Sequence, residues 1–198
     1  MTRQMTIEAK FLMPSSETLP PNQPPSPVYV SPGGRIFGEQ VAGLCDKALW
    51  VSPFVPFALG GGAWTGWFPI GKDGPYLTLS YPVSLHVWHP VAFVRDGDEQ
   101  RVYLDGDLLA SQQLAGTPYD LPIANSSGSQ MTIGGFLYKS TSVTPDNLDP
   151  AFHGAIQWVR VSNAARYSGS FALPPSTVPS PDPSTLVLFD FSNVQPVT

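Results

Sequence analysis

Five carboxylates crowd into a dozen residues: Asp96, Asp98, Glu99, Asp105 and Asp107. Hydrolysis of a glycosidic bond needs two carboxylates about 5–10 Å apart across a sugar cleft. These five, however, flank Asp96-Gly97 and Asp105-Gly106, and Asp-Gly is a hairpin-turn signature. They read as acidic turn residues in water. Asp146-Asn147-Leu148-Asp149, with Asp46 and Asp73, could supply oxygens to calcium. Calcium takes about 6–8 oxygens, and no spacing here makes them converge, so the stretch reads as an ordinary polar loop. Neither a metal nor a cofactor is expected. His86, His89 and His153 form no nucleophile motif with the single cysteine, Cys45. That cysteine reads as a small buried apolar residue, and His86 and His89 read as strand residues with ordinary partners. Trp64, Trp67 and Phe68 stand apart, since three large aromatics follow closely on Gly60-Gly61-Gly62. Exposed aromatic rings stack on sugar rings and bind without charge. These three are the candidate ligand-binding residues, with sheet packing as the structural alternative.

Strands must position them. The chain has 23 Pro and 18 Gly in 198 residues, which breaks it into short segments and leaves little room for helix. From His89 to Asp107, HPVAFVRDGDEQRVYLDGD reads as strand, turn, strand, turn, the signature of an antiparallel meander. Residues 6–12 alternate, with Ile7, Ala9 and Phe11 on one face and Glu8 and Lys10 on the other, which predicts a half-buried strand. Val28–Val30 and Arg35–Phe37 flank Pro32-Gly33-Gly34 as a short hairpin. Lys47–Val51, Phe57–Leu59, Tyr76–Tyr81, Val83–Trp88 and Met131–Gly135 are further strand candidates, and the three glycines 60–62 read as a flexible break. In Phe152–Ser162, Ile156, Trp158 and Arg160 share one face by spacing; Leu186–Phe191 reads as a buried closing strand. Pro-rich stretches at 14–27 and 174–183 read as extended connections. The sum is roughly ten to twelve strands with at most one turn of helix, near 163–166, in two packed antiparallel sheets. One all-β sandwich domain is expected to span 1–198.

Composition excludes several partners. A net charge of −5 with scattered Lys and Arg argues against nucleic acid. No apolar run reaches the roughly 18 residues a membrane helix needs, so no membrane insertion is expected. The start, MTRQMTIEAK, shows no apolar signal core. This predicts either cytoplasmic synthesis, as for a virion protein released by lysis, or an export signal lying elsewhere.

Two runs carry a family resemblance. Trp88-His89-Pro90-Val91-Ala92-Phe93-Val94-Arg95-Asp96-Gly97, continuing to Val102-Tyr103-Leu104-Asp105-Gly106, resembles the central hairpin of laminin-G-like, concanavalin A-like jelly rolls. Phe152 to Ser162 is similar to that family's penultimate strand. Ala165-Arg166-Tyr167, Phe171, Pro174 and Asp182 to Phe191 resemble a variant seen in bacterial surface proteins and in phage tail or fibre proteins. The likeness covers about residues 84–192. It implies a β-sandwich jelly roll used for binding or adhesion more often than for catalysis. Pro90 replaces a second histidine, and Gln157 an acidic residue, of the family pattern; the second change argues against a family-type calcium site. The E-x-D-x-x-E strand motif that the resemblance implies for its enzymes is absent. Three functions follow as expectations. The first is a non-catalytic module recognising glycan or protein on a virion or cell surface. The second is a structural virion component docking on neighbouring subunits through its Pro-rich arms. The third, a polysaccharide hydrolase or lyase, is allowed by the fold and not supplied by the residues.

Overall fold

The computed structural model describes residues 4–14, 35–41, 45–51, 58–65, 77–81, 83–113, 130–134, 136–137, 148–149, 152, 154–172 and 178–193. Among these, all regular structure is strand: β1 (Gln4–Leu12), β2 (Arg35–Val41), β3 (Cys45–Val51), β4 (Ala58–Thr65), β5 (Leu77–Ser80), β6 (Trp88–Asp96), β7 (Glu99–Leu104), β8 (Asp107–Gln113), β9 (Gln130–Ile133), β10 (Phe136–Leu137), β11 (Leu148–Asp149), β12 (Ala155–Ser162) and β13 (Thr185–Asp190). A six-stranded sheet runs β13-β12-β1-β6-β7-β8, a five-stranded sheet runs β5-β4-β3-β2-β9, and β10 pairs with β11. The strand pairings are antiparallel, with the first strand inserted between β6 and β12. The expected helical turn at 163–166 is bend and irregular chain instead.

The two large sheets share one core. Met5, Ile7, Ala9 and Phe11 of β1, Val91 and Phe93 of β6, Val102 and Leu104 of β7, and Val159 and Val161 of β12 meet Ile36, Phe37, Leu49 and Leu77 of the second sheet. Each such Val, Ile, Leu or Phe contributes about 1.5–3 kcal/mol by leaving water. The period-two pattern of β1 places its odd residues in this core, as alternation requires.

The meander from β6 to β8 follows from its two turns. Gly97 takes φ of 60° at the first central position of the β6–β7 turn, the position that a type II′ hairpin reserves for glycine. Asp105 and Gly106 both have positive φ, 54° and 86°, which is the type I′ pattern that Asp-Gly favours. Arg95, buried on the core side of β6, returns its Nε–H to the Gly97 carbonyl and ties the turn to its own strand.

Three expectations change. The glycines 60–62 are no break: they lie inside β4, paired with Ala48, Leu49 and Trp50 of β3. Ile156 and Trp158 occupy opposite faces, because Phe11 pairs with Ile156 and Lys10 with Trp158, leaving Gln157 as an extra residue. A bulge of one residue inverts the alternation beyond it. The closing strand β13 is an edge, with Leu186 and Phe189 exposed. Arg35 begins β2, which pairs with β3 and β9; Val28–Val30 lie outside the described residues.

Candidate ligand-binding face

Each sheet of a sandwich turns one face to the core and one away from it. On the six-stranded sheet the outward face is crossed by the chain itself. After β12, residues 163–172 cross β1, β6 and β7 to the β7–β8 turn. Thr6 Oγ1 donates to the Ala164 carbonyl at 2.7 Å and accepts the Arg166 amide at 3.1 Å. The Phe171 amide donates to the Gly106 carbonyl at 2.8 Å, and Ser170 Oγ accepts the Leu108 amide at 3.0 Å. Tyr167 stacks flat on Phe171 at 3.7 Å, with Tyr103 edge-on to Tyr167.

Beneath this strap lies a buried polar cluster. Glu8, expected on a solvated face, is 2% exposed. Arg160 Nε donates to its Oε1, and Tyr167 Oη donates to its Oε2 at 2.6 Å. Paired and hydrogen-bonded, the carboxylate tolerates a burial that would otherwise be prohibitive. Burial, followed by the Glu8 charge, holds the Tyr167 phenol well above its ordinary range. Arg101 Nη1 and Tyr103 Oη both donate to the Tyr167 carbonyl at 3.1 Å. At the far margin Arg166 grips Asp182 with two bonds of 2.8 and 2.9 Å. That guanidinium, with help from Ser184, holds the Asp182 carboxyl far below the usual range. Arg166-Tyr167 is thus a structural contact.

The acidic cluster is less idle than free turn residues would be. Asp96 accepts from Gln4 at 2.9 Å and faces Arg101, while Glu99 bonds Arg101 directly. Asp105 Oδ2 lies 2.8 Å from His89 Nδ1, and His89 Nε2 donates to the Ser84 carbonyl at 3.0 Å. His89 is a buried strand residue with partners, as expected. His86 is not in a strand: it sits in a turn with φ of 60°, its amide donating to the Met13 carbonyl.

Register orders the five-stranded sheet. Phe37, Leu49 and Leu77 are core residues, and Gly61 pairs with both Leu49 and Leu77. The same ladder pairs Ala48 with Gly62 and Trp50 with Gly60. Across the sheet, Gln130 pairs with Gln40, Gln40 with Asp46, and Asp46 with Trp64. The structure thus places Trp64 within β4, in line with an acid and two amides. Trp67 and Phe68 lie outside the described residues. The sequence reading missed Asp46 as the cross-strand partner of Trp64. It also passed over Tyr81, Val87 and Trp88, three exposed apolar residues in the approach to β6.

A six- and a five-stranded antiparallel sheet packed over one core is the architecture of a concanavalin A-like sandwich. The chain belongs to the concanavalin A-like lectin/glucanases superfamily: the laminin G model of that superfamily matches residues 49–169, more than half of the sequence. A native heptameric SAP-like pentraxin from Limulus polyphemus is similar in fold, with TM-score 0.53, 16% identity, and coverage of 84% of this chain and 66% of its own. A Bacteroides ovatus protein assigned to carbohydrate binding gives TM-score 0.55 at 16% identity, covering 100% of this chain and 48% of its own. Domains LG4-5 of the mouse laminin alpha1 chain give TM-score 0.50 at 12% identity, covering 82% and 36%. The chain spans 36–66% of the length of these structures, and at such identities the likeness concerns the fold. No curated protein matches the chain.

Proposed function

We propose that this chain is a non-catalytic recognition module for surface glycan, working as one sandwich domain over residues 1–198 on a virion or cell surface. One observation carries the reading. The strap crosses the outward face of one sheet, while in the other the backbone ladder pairs Trp64 with Asp46, Asp46 with Gln40, and Gln40 with Gln130. Aromatic faces stack on sugars, and carboxylates and amides bond their hydroxyls. The non-catalytic part is supported by the fates of five of the placed carboxylates. Glu8, Asp96, Glu99 and Asp182 are each engaged by an arginine, and Asp105 is engaged by His89. None of these five is left as an acid facing a base across a cleft. Trp67 and Phe68 extend the proposed site by their closeness to Trp64 in sequence.

A glycan array tests this, with Trp64→Ala, Trp67→Ala and Phe68→Ala as companions. Binding that falls roughly tenfold in Trp64→Ala supports the reading. No binding to any glycan by the folded chain ends it. The second reading, a virion structural component that meets neighbouring subunits through its Pro-rich stretches at 14–27 and 174–183, rests on their composition. Co-sedimentation with particles, and its loss on deleting 15–26, would favour that role.

A further inference from the structure

His89 is a buried ring, 5% exposed, held between two groups that accept hydrogen bonds. Its Nδ1 lies 2.8 Å from Asp105 Oδ2, and its Nε2 lies 3.0 Å from the Ser84 carbonyl. A carbonyl and an ionised carboxylate have no proton to give, and a neutral imidazole has one N–H. Both bonds together therefore need a proton on each ring nitrogen. The count is the same if the shared proton sits on Asp105. On β1 the ring pairs with the uncharged Phe11, whose ring centroid is 5.8 Å away. Lys10 falls on the opposite face of that strand by alternation, and Asp107 is exposed beyond the turn. Among the described residues, Asp105 is the one charged group against the ring.

Both sides of this bridge are strained. Among the described residues, His86 and Asp105 are the non-glycine residues with positive φ, at 60° and 54°. Asp105 is the acceptor of the bridge. His86 is two residues from Ser84, in the connection of residues 83–87 that enters β6. Left-handed backbone is disfavoured for side chains with a Cβ, persists where surroundings impose it, and clusters in switch regions. Val83 and Leu85 seat the start of the connection on the core, and the His86 amide donates to the Met13 carbonyl at 2.8 Å. The connection ends at Val87 and Trp88, which are 50% and 38% exposed.

We infer that His89, Asp105 and Ser84 form a proton-operated clamp that fixes how the connection into β6 presents Val87 and Trp88. With both nitrogens protonated, both bonds hold. When one proton leaves the ring for water, one N–H is left. A carboxylate accepts more strongly than a carbonyl, so that proton stays on Nδ1, towards Asp105. Nε2 then turns a lone pair on the Ser84 carbonyl, and the connection is released. The clamp does not depend on the glycan-recognition reading, because it concerns the chain's own contacts.

The test is NMR of the full chain across pH, with and without His86→Asn. That substitution removes the second imidazole of the connection, and asparagine tolerates a positive φ. Ring 15N shifts count the protons on each nitrogen of His89. Hydrogen-exchange protection, corrected for the intrinsic rate at each pH, follows the amides of residues 84–88. The expected ring carries two protons at the acid end and only the Nδ1 proton afterwards. The residue 86 amide should lose at least about tenfold in protection, with the midpoint of the ring itself. Asp105→Asn tests the cause. Its side-chain amide can donate to a bare Nδ1, which leaves Nε2–H for Ser84, so protection should no longer follow pH and the connection should stay closed. A folded chain in which protection is unchanged as the ring loses its proton overturns the clamp. So does a ring whose proton count never changes, a neutral ring protonated on Nε2, or a response that persists in Asp105→Asn.

Discussion

Glu8 shows how far one residue's fate departs from its local pattern. Its position opposite Ile7 on an alternating strand suggests a solvated acid, yet it is buried under the strap between Arg160 and Tyr167. Removing one member of a buried pair leaves an uncompensated charge, which costs about 3–5 kcal/mol. Arg160→Met should therefore lower the unfolding free energy by about that much in urea titration. Tyr167→Phe, which deletes one hydrogen bond to the same carboxylate, should cost about 1–3 kcal/mol. The double substitution of Glu8→Leu with Arg160→Met should be milder than Arg160→Met alone, because no orphan charge remains. None of this was readable from the sequence. The strap residues lie about 160 positions from Glu8, and no local rule links them.

At the scale of the element, the β6–β7–β8 meander was the most legible part of the chain. Its two Asp-Gly turns state both the loop length and the backbone sign, and both glycines have positive φ. Gly97 has nothing within 4 Å of where a Cβ would lie, so its substitution isolates the backbone cost. Gly97→Ala should destabilise by about 1–2 kcal/mol from the left-handed φ alone. Gly169 is also open but lacks a positive φ, and Gly169→Ala should be neutral or stabilise by up to about 1 kcal/mol. Thermal melts of the two variants check the contrast. Elsewhere the elements were found with wrong inner detail. The bulge at Gln157 reversed the face of Ile156, and the three glycines of β4 read as a break because glycine lowers local strand propensity. Pairing on both sides overrides that propensity.

For the whole molecule, the strap and its margins set a pH window. Asp182 titrates far below its ordinary 3.8 in the folded chain, chiefly through its bonds from Arg166. Its stabilisation is present above that ordinary value and is lost as pH falls below it, since the unfolded chain then binds the proton first. The Asp182 side chain is 40% exposed, so solvent screening keeps this acid limb shallow. Tyr167 is shifted the other way, above its ordinary 10.0, mainly by burial. Its contribution is present below that value and is lost as pH rises past it, because the unfolded phenol ionises first. Denaturant midpoints measured across pH should form a plateau with both limbs. Asp182→Asn should flatten the acid limb, and Tyr167→Phe should flatten the alkaline one.

The sequence alone settled the class of fold. Alternation, glycine corners and scarce helix signals are local properties, and their sum admits only packed strands. It also singled out Trp64, because an aromatic cluster is visible without neighbours. Tertiary structure decided which face each residue occupies and what lies opposite it. It put Asp46 and Gln40 in line with Trp64, and residues 163–172 over the outward side of the six-stranded sheet. The physical reason is pairing over long separations. A strand specifies its own period, but its register and its neighbours come from contacts that close only when the chain folds.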